Sequence, residues 1–177
     1  MARKKKSARS KAPAKKAAGS RKVNFIPAGY HTVTPYLACG DAAGAIDFYK
    51  KAFGAEVIAQ MGGPGGKVLH AELKIGDSII MLGDEMPEMN TKGPKSYGGS
   101  PVSFYVYVEK VDAAWKRAED AGAKTVMPLA DMFWGDRTGR LEDPFGHLWS
   151  LAQHVKDVTP EEMKKGQEAF FKQMQPA

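Results

Sequence analysis

From Val23 onward the chain switches between two hydrophobic periods, one of two residues and one near 3.6. Residues 31–39 alternate and predict a strand. Asp41 then opens a helix with Ala45, Ile46, Tyr49, Ala52 and Phe53 on its apolar side, and Gly54 stops it. Residues 55–61 predict a second strand, and GGPGGK at 62–67 a hairpin turn. Residues 68–75 alternate strictly, Gly76 and Asp77 turn the chain, and residues 78–82 predict another strand. A Pro-, Gly- and Met-rich connector covers 83–100. The same order then returns: strand 102–109, a helix over 111–121 stopped by Gly122, strand 124–134 bent at Pro128, strand 136–143 and strand 147–154. A last helix is predicted over 157–174, begun by Thr159-Pro160-Glu161-Glu162.

The recurrence has a register. Gly54-Ala55 and Gly122-Ala123 close the two helices 68 positions apart, as Asp41 and Glu109 precede them. A repeat of a whole βαβββ unit predicts an α+β fold built from two copies of one architecture. Three segments follow: a basic tail at 1–22, a tandem domain at 23–155 and a C-terminal helix and extension at 156–177.

Charge changes the picture at one end. Ten of the 26 Lys and Arg lie in the first 22 residues with no acid among them, which leaves 16 basic against 20 acidic residues in the rest. The high isoelectric point therefore describes the tail, and the body is mildly acidic. The tail, rich in Lys, Ala, Ser and Pro, is expected to be disordered. It has no aromatic residue, so any nucleic-acid binding through residues 3–22 is expected to be non-specific, with a solubilising or incidental tail as the alternative. A single cysteine, Cys39, excludes an intrachain disulfide and fits the cytoplasm. No apolar run reaches a membrane span.

Two motifs carry a family resemblance. AAGAIDFYKKAFGAEV in the first unit and LEDPFGHLWSLAQH in the second resemble the signatures of the vicinal oxygen chelate superfamily, which includes glyoxalase I, bleomycin-resistance proteins and extradiol dioxygenases. The resemblance covers about 25–155. It implies a curved sheet around a cavity, and a homodimer. It also implies metal ligands on the first and last strands of each unit, near Thr34, Met81, Ser103 and Ser150. Hydroxyls and a thioether are poor donors for a divalent cation. No metal or other cofactor is therefore expected, with a metal held at shifted positions as the alternative. A small-molecule binding protein is the first reading of function. A lyase, isomerase or dioxygenase acting on a small oxygenated substrate, or a nucleic-acid-associated protein, is the alternative.

Strand parity sorts the side chains. Leu69, Ala71, Leu73 and Ile75, and Val102, Phe104, Val106 and Val108, are expected to face the helices. Thr34, Tyr36, Met81, Ser103, Tyr105 and Ser150 are expected to face the ligand. His70 and Glu72 share that side as an acid–base pair or as part of a polar sheet face. Arg137 and Arg140 offer an anion clamp or a solvated strand edge. Trp134, with Tyr105, Phe133 and Phe145, offers stacking surfaces or core. His147 is expected to hydrogen-bond its turn. Cys39 is expected to be a small buried hydrophobe with no histidine partner.

Overall fold

A computed structural model describes residues 23–174. The basic tail, and with it the expected nucleic-acid contact, lies outside the described residues. The first unit comprises β1 (Tyr36–Cys39), α1 (Ala42–Phe53), β2 (Glu56–Gly62), β3 (Val68–Ile75) and β4 (Ser78–Asp84). After a short helix α2 (Pro94–Tyr97), the second comprises β5 (Ser103–Tyr107), α3 (Val111–Asp120), β6 (Lys124–Asp131), β7 (Asp136–Glu142) and β8 (Leu148–His154). Helix α4 (Pro160–Met174) follows.

Each unit forms one four-stranded sheet, ordered β1-β4-β3-β2 and β5-β8-β7-β6, with a parallel pair at one edge and antiparallel pairs beyond it. The expected α+β tandem is thus observed. The first strand is shorter than its alternation predicts, because 31–35 stay outside the ladder and only the Pro35 carbonyl reaches Met81. Val102 precedes β5 and is exposed, so the helix-facing row of that strand begins at Phe104. The strand predicted over 124–134 ends at Asp131, before a turn over 132–135.

Local chemistry explains both helices. Asp41 caps α1 by accepting the Gly44 N–H at 2.9 Å, and Gly54 ends it with a left-handed φ of 67°. In each unit a side chain of the last strand also accepts the first backbone N–H of the helix. Asp84 accepts the Ala42 N–H at 2.8 Å, and Gln153 accepts the Val111 N–H at 3.2 Å. These bonds fasten the start of each helix to its own sheet.

Between the units, α1 packs against α3, and its aromatic residues reach the second sheet. The ring centroids of Phe53 and Trp149 are 4.7 Å apart, and those of Phe48 and Phe145 are 6.4 Å apart. Leu37, Tyr49, Leu73, Val111, Leu141 and Trp149 are among the buried residues of this shared core. The helices therefore lie between the inner faces of the two sheets. The other face of each sheet points outward, so one chain does not bring its two open faces together around a common cavity. Among the described residues, no helix is long and apolar enough to cross a membrane.

Candidate functional site

The DPFGH motif builds the joint between the units. Asp143 accepts the Phe145 and His147 backbone N–H groups, each at 2.9 Å, and also the Trp149 indole at 2.9 Å and the Tyr49 hydroxyl at 2.7 Å. Gly146 completes the turn at a φ of 94°, a conformation that favours glycine. His147 hydrogen-bonds its own turn through its backbone, and its Nε2 lies 3.2 Å from the Ala38 carbonyl of the first unit. Contrary to expectation, Cys39 does have a histidine beside it, with Sγ 3.7 Å from His147 Nε2. Their separation of 108 positions hides that pair from the sequence. Burial pushes the Cys39 thiol well up and the His147 imidazole down, so the pair is a packed, neutral contact.

The open face of the first sheet gathers Tyr36, His70, Glu72 and Met81. His70 Nε2 and Glu72 Oε1 are 3.2 Å apart, as strand parity places them. Tyr30, from the segment before β1, donates its hydroxyl to the other oxygen of Glu72. That hydrogen bond, followed by the one from His70, holds the Glu72 carboxyl below the usual range, and the same contact pushes the Tyr30 phenol up. Tyr36 crosses the face to the Leu69 carbonyl at 3.2 Å, its ring 5.7 Å from His70. Thr34 is occupied locally, donating to the His31 carbonyl at 3.3 Å.

The open face of the second sheet is richer. Ser103, Tyr105 and Tyr107 project from β5, Ser150 and His154 from β8, and Asp136 and Arg140 from β7, with Tyr105, Ser150 and Arg140 in one cross-strand row. Asp136 is 3 % exposed and is the hub of this face. Its Oδ2 accepts from the Tyr105 hydroxyl at 3.1 Å, the Tyr107 hydroxyl at 3.0 Å and the Trp134 indole at 3.2 Å, and its Oδ1 lies 2.8 Å from His154 Nδ1. Burial alone would raise this carboxyl, but the bonds from His154, Tyr107, Tyr105 and Trp134 outweigh it and hold it below the usual range. Asp136 and then Asp157, 3.0 Å from Nε2, push the His154 imidazole up.

The two candidate arginines part company. Arg137 lies on the helix side, bound to Asp112 of α3 at 2.7 Å and to Asp131 at 3.1 Å. The structure thus places it away from Arg140, which projects onto the open face with Nε 3.4 Å from Ser150 Oγ. Asp136 and His154 are the residues that sequence reasoning missed. Parity from Ser150 through Ala152 reaches His154, which was the available signal. Tyr30 had none, since it lies in an aperiodic stretch.

The positions where the resemblance expects metal ligands are Thr34, Met81, Ser103 and Ser150, and this donor set does not fit a divalent cation. Among the described residues, no group of three His, Cys, Asp or Glu is arranged to hold one. A cleft of about 990 Å³ runs along the unpaired edge of β5, between that edge, residues 31–35, the β3–β4 turn and α3.

The sequence model of the Glyoxalase/Bleomycin resistance protein/Dioxygenase superfamily matches residues 30–151. The uncharacterized protein Rv0887c of Mycobacterium tuberculosis is 45 % identical over 145 residues, covering 80 % of this chain and 83 % of its own. The crystal structure of TioX from Micromonospora sp. ML1 is similar over 73 % of this chain and 100 % of its own, at 28 % identity and a TM-score of 0.54. The structure of the Arabidopsis thaliana At5g48480 product is similar over 70 % of this chain and 98 % of its own, at 28 % identity and a TM-score of 0.57. The duplicated βαβββ order, the DPFGH joint and the extent of the match agree, and the chain belongs to the Glyoxalase/Bleomycin resistance protein/Dioxygenase superfamily.

Proposed function

We propose that this protein binds a small organic molecule without a divalent cation, between the open face of sheet 1 in one copy and the open face of sheet 2 in a second. The observation that carries this reading is the outward placement of both polar–aromatic faces. Tyr36, His70, Glu72 and Met81 lie on one, and Ser103, Tyr105, Arg140 and Ser150 on the other, with the helices between them. Exposed apolar residues on these faces, including Met61 at 54 % and Tyr107 at 63 %, favour a covering partner. So do the unpaired edges of β1 and β5.

Sedimentation, elemental analysis and a thermal-shift screen of metabolites test this reading. The expected result is a dimer, little bound metal and a ligand that raises the melting temperature. A monomer, or one tightly held transition metal per chain, overturns it. The Tyr30–Glu72–His70 cluster favours a second reading, an enzyme using Glu72 and His70 for proton transfer. Turnover of a screened ligand that is lost in Glu72→Gln, with binding retained, selects that reading.

A further inference from the structure

Arg140 is a half-buried guanidinium in the middle of an open sheet face, and no carboxylate among the described residues lies within ion-pair distance of it. Its neighbour on the strand, Arg137, shows how this chain satisfies an arginine when the role is structural. Two aspartates hold Arg137, one of them through three N–H···O contacts of 2.7 to 3.2 Å. Among the described residues Arg140 has only a 3.4 Å approach to one serine hydroxyl, which leaves most of its five N–H donors without a partner there. Glu142, two residues along on the same face, is cross-strand partner to Lys124.

The surroundings narrow the ligand further. Tyr105 lies two strands from Arg140 in the same row, which is about 10 Å across the sheet. Its ring centroid is 5.3 Å from that of Tyr107, and both rings are exposed. The two hydroxyls are tied to the Asp136 carboxylate, which fixes the rings as a wall before any ligand arrives. A fixed aromatic wall favours a flat aromatic body. One guanidinium at that distance matches one singly charged, planar oxyanion, which it meets with two parallel hydrogen bonds.

We propose that the open face of sheet 2 binds an aromatic carboxylate, its carboxyl group on Arg140 and its ring against Tyr105 and Tyr107. This deepens the small-molecule reading and rests on it. The guanidinium, next to Ser150, supplies the positive charge that the superfamily's metal enzymes draw from a cation.

Isothermal titration of the full chain with 2-naphthoate and with 2-naphthamide tests the proposal. The two probes share a ring system and differ in charge. The unmodified protein is expected to bind the carboxylate at least about tenfold more tightly than the amide, from the worth of charged hydrogen bonds. Arg140→Met should weaken the carboxylate far more than the amide and so remove that preference, and Arg140→Lys should restore part of it. Tyr105→Leu should weaken both probes. Unfolding curves of each variant show whether it is folded, and Lys116→Met, on the exposed side of α3, is the control. Equal binding of both probes to the unmodified protein, or an unchanged preference in a folded Arg140→Met, overturns the aromatic-acid inference while small-molecule binding stands. Binding of neither probe at millimolar concentration also overturns it, and the small-molecule reading is then decided by whether the metabolite screen yields a ligand.

Discussion

The Tyr49 hydroxyl donates to Asp143 Oδ2 at 2.7 Å, across 94 residues of sequence and between the two repeats. Asp143 already accepts two backbone N–H groups and an indole, so this contact links helix α1 of the first unit to the turn that organises the second. Tyr49→Phe keeps the ring packing and removes only the bond. It should cost about 1–3 kcal/mol, the usual cost of leaving a buried polar partner short of a bond, as read from urea unfolding. An unchanged midpoint would show that this hydrogen bond does not help to hold the two units together.

Gly139 on β7 faces the core, where an added Cβ would lie 2.6 Å from the Trp115 ring and 2.8 Å from the Met127 carbonyl. The backbone oxygen cannot swing away as a side chain can. Gly139→Ala should therefore destabilise the protein by roughly 1–3 kcal/mol, as overpacked cores do. Thermal unfolding of the variant checks this.

Two histidines should give the stability curve opposite slopes around their unfolded pKa of about 6.5. Asp136, and then Asp157, raise the native pKa of His154. Its stabilising contribution is complete below the unfolded value and is lost as pH rises through the raised native one. Burial lowers the native pKa of His147, against the opposing influence of Asp143 and the Ala38 carbonyl. Its neutral form is favoured, so stability is lost as pH falls below the unfolded value. Unfolding midpoints measured across this range should lose their alkaline-side decline in His154→Gln and their acid-side decline in His147→Gln. The same slopes in all three proteins would contradict the assignment.

Burial, followed by the nearby Asp143 and Asp84 charges, pushes the Cys39 thiol up, and Cys39 is fully buried in the shared core. A disulfide reagent should label it only as the protein unfolds, with a rate that follows denaturant. Fast labelling of the native protein would mean that the joint between the units opens locally.

Elements and faces were legible from the residues because burial imposes a period on a local stretch of chain. The 3.6-residue spacing of Ala45, Ile46, Tyr49 and Ala52 marks the buried side of α1. Alternation placed Phe104 and Val106 against the core and Ser103, Tyr105 and Tyr107 on the open side. It also placed His70 and Glu72 on one face, where they lie 3.2 Å apart. Alternation failed at 31–35, which is apolar and polar in turn but stays outside the ladder.

The repeat, the two helices and the parity of the strands are properties of the sequence by itself, since each depends on residue type and short spacing. Tertiary structure alone decided that the open faces point away from each other, because that depends on α1 packing against α3. It also decided that Tyr30 meets Glu72 and that two tyrosines of β5 reach Asp136 on β7, over separations of 42, 31 and 29 residues. Whether Arg137 or Arg140 keeps a free guanidinium turned on which sheet face has α3 and its Asp112 lying over it. Contacts of that range follow from how rigid elements dock, and no local period encodes the docking.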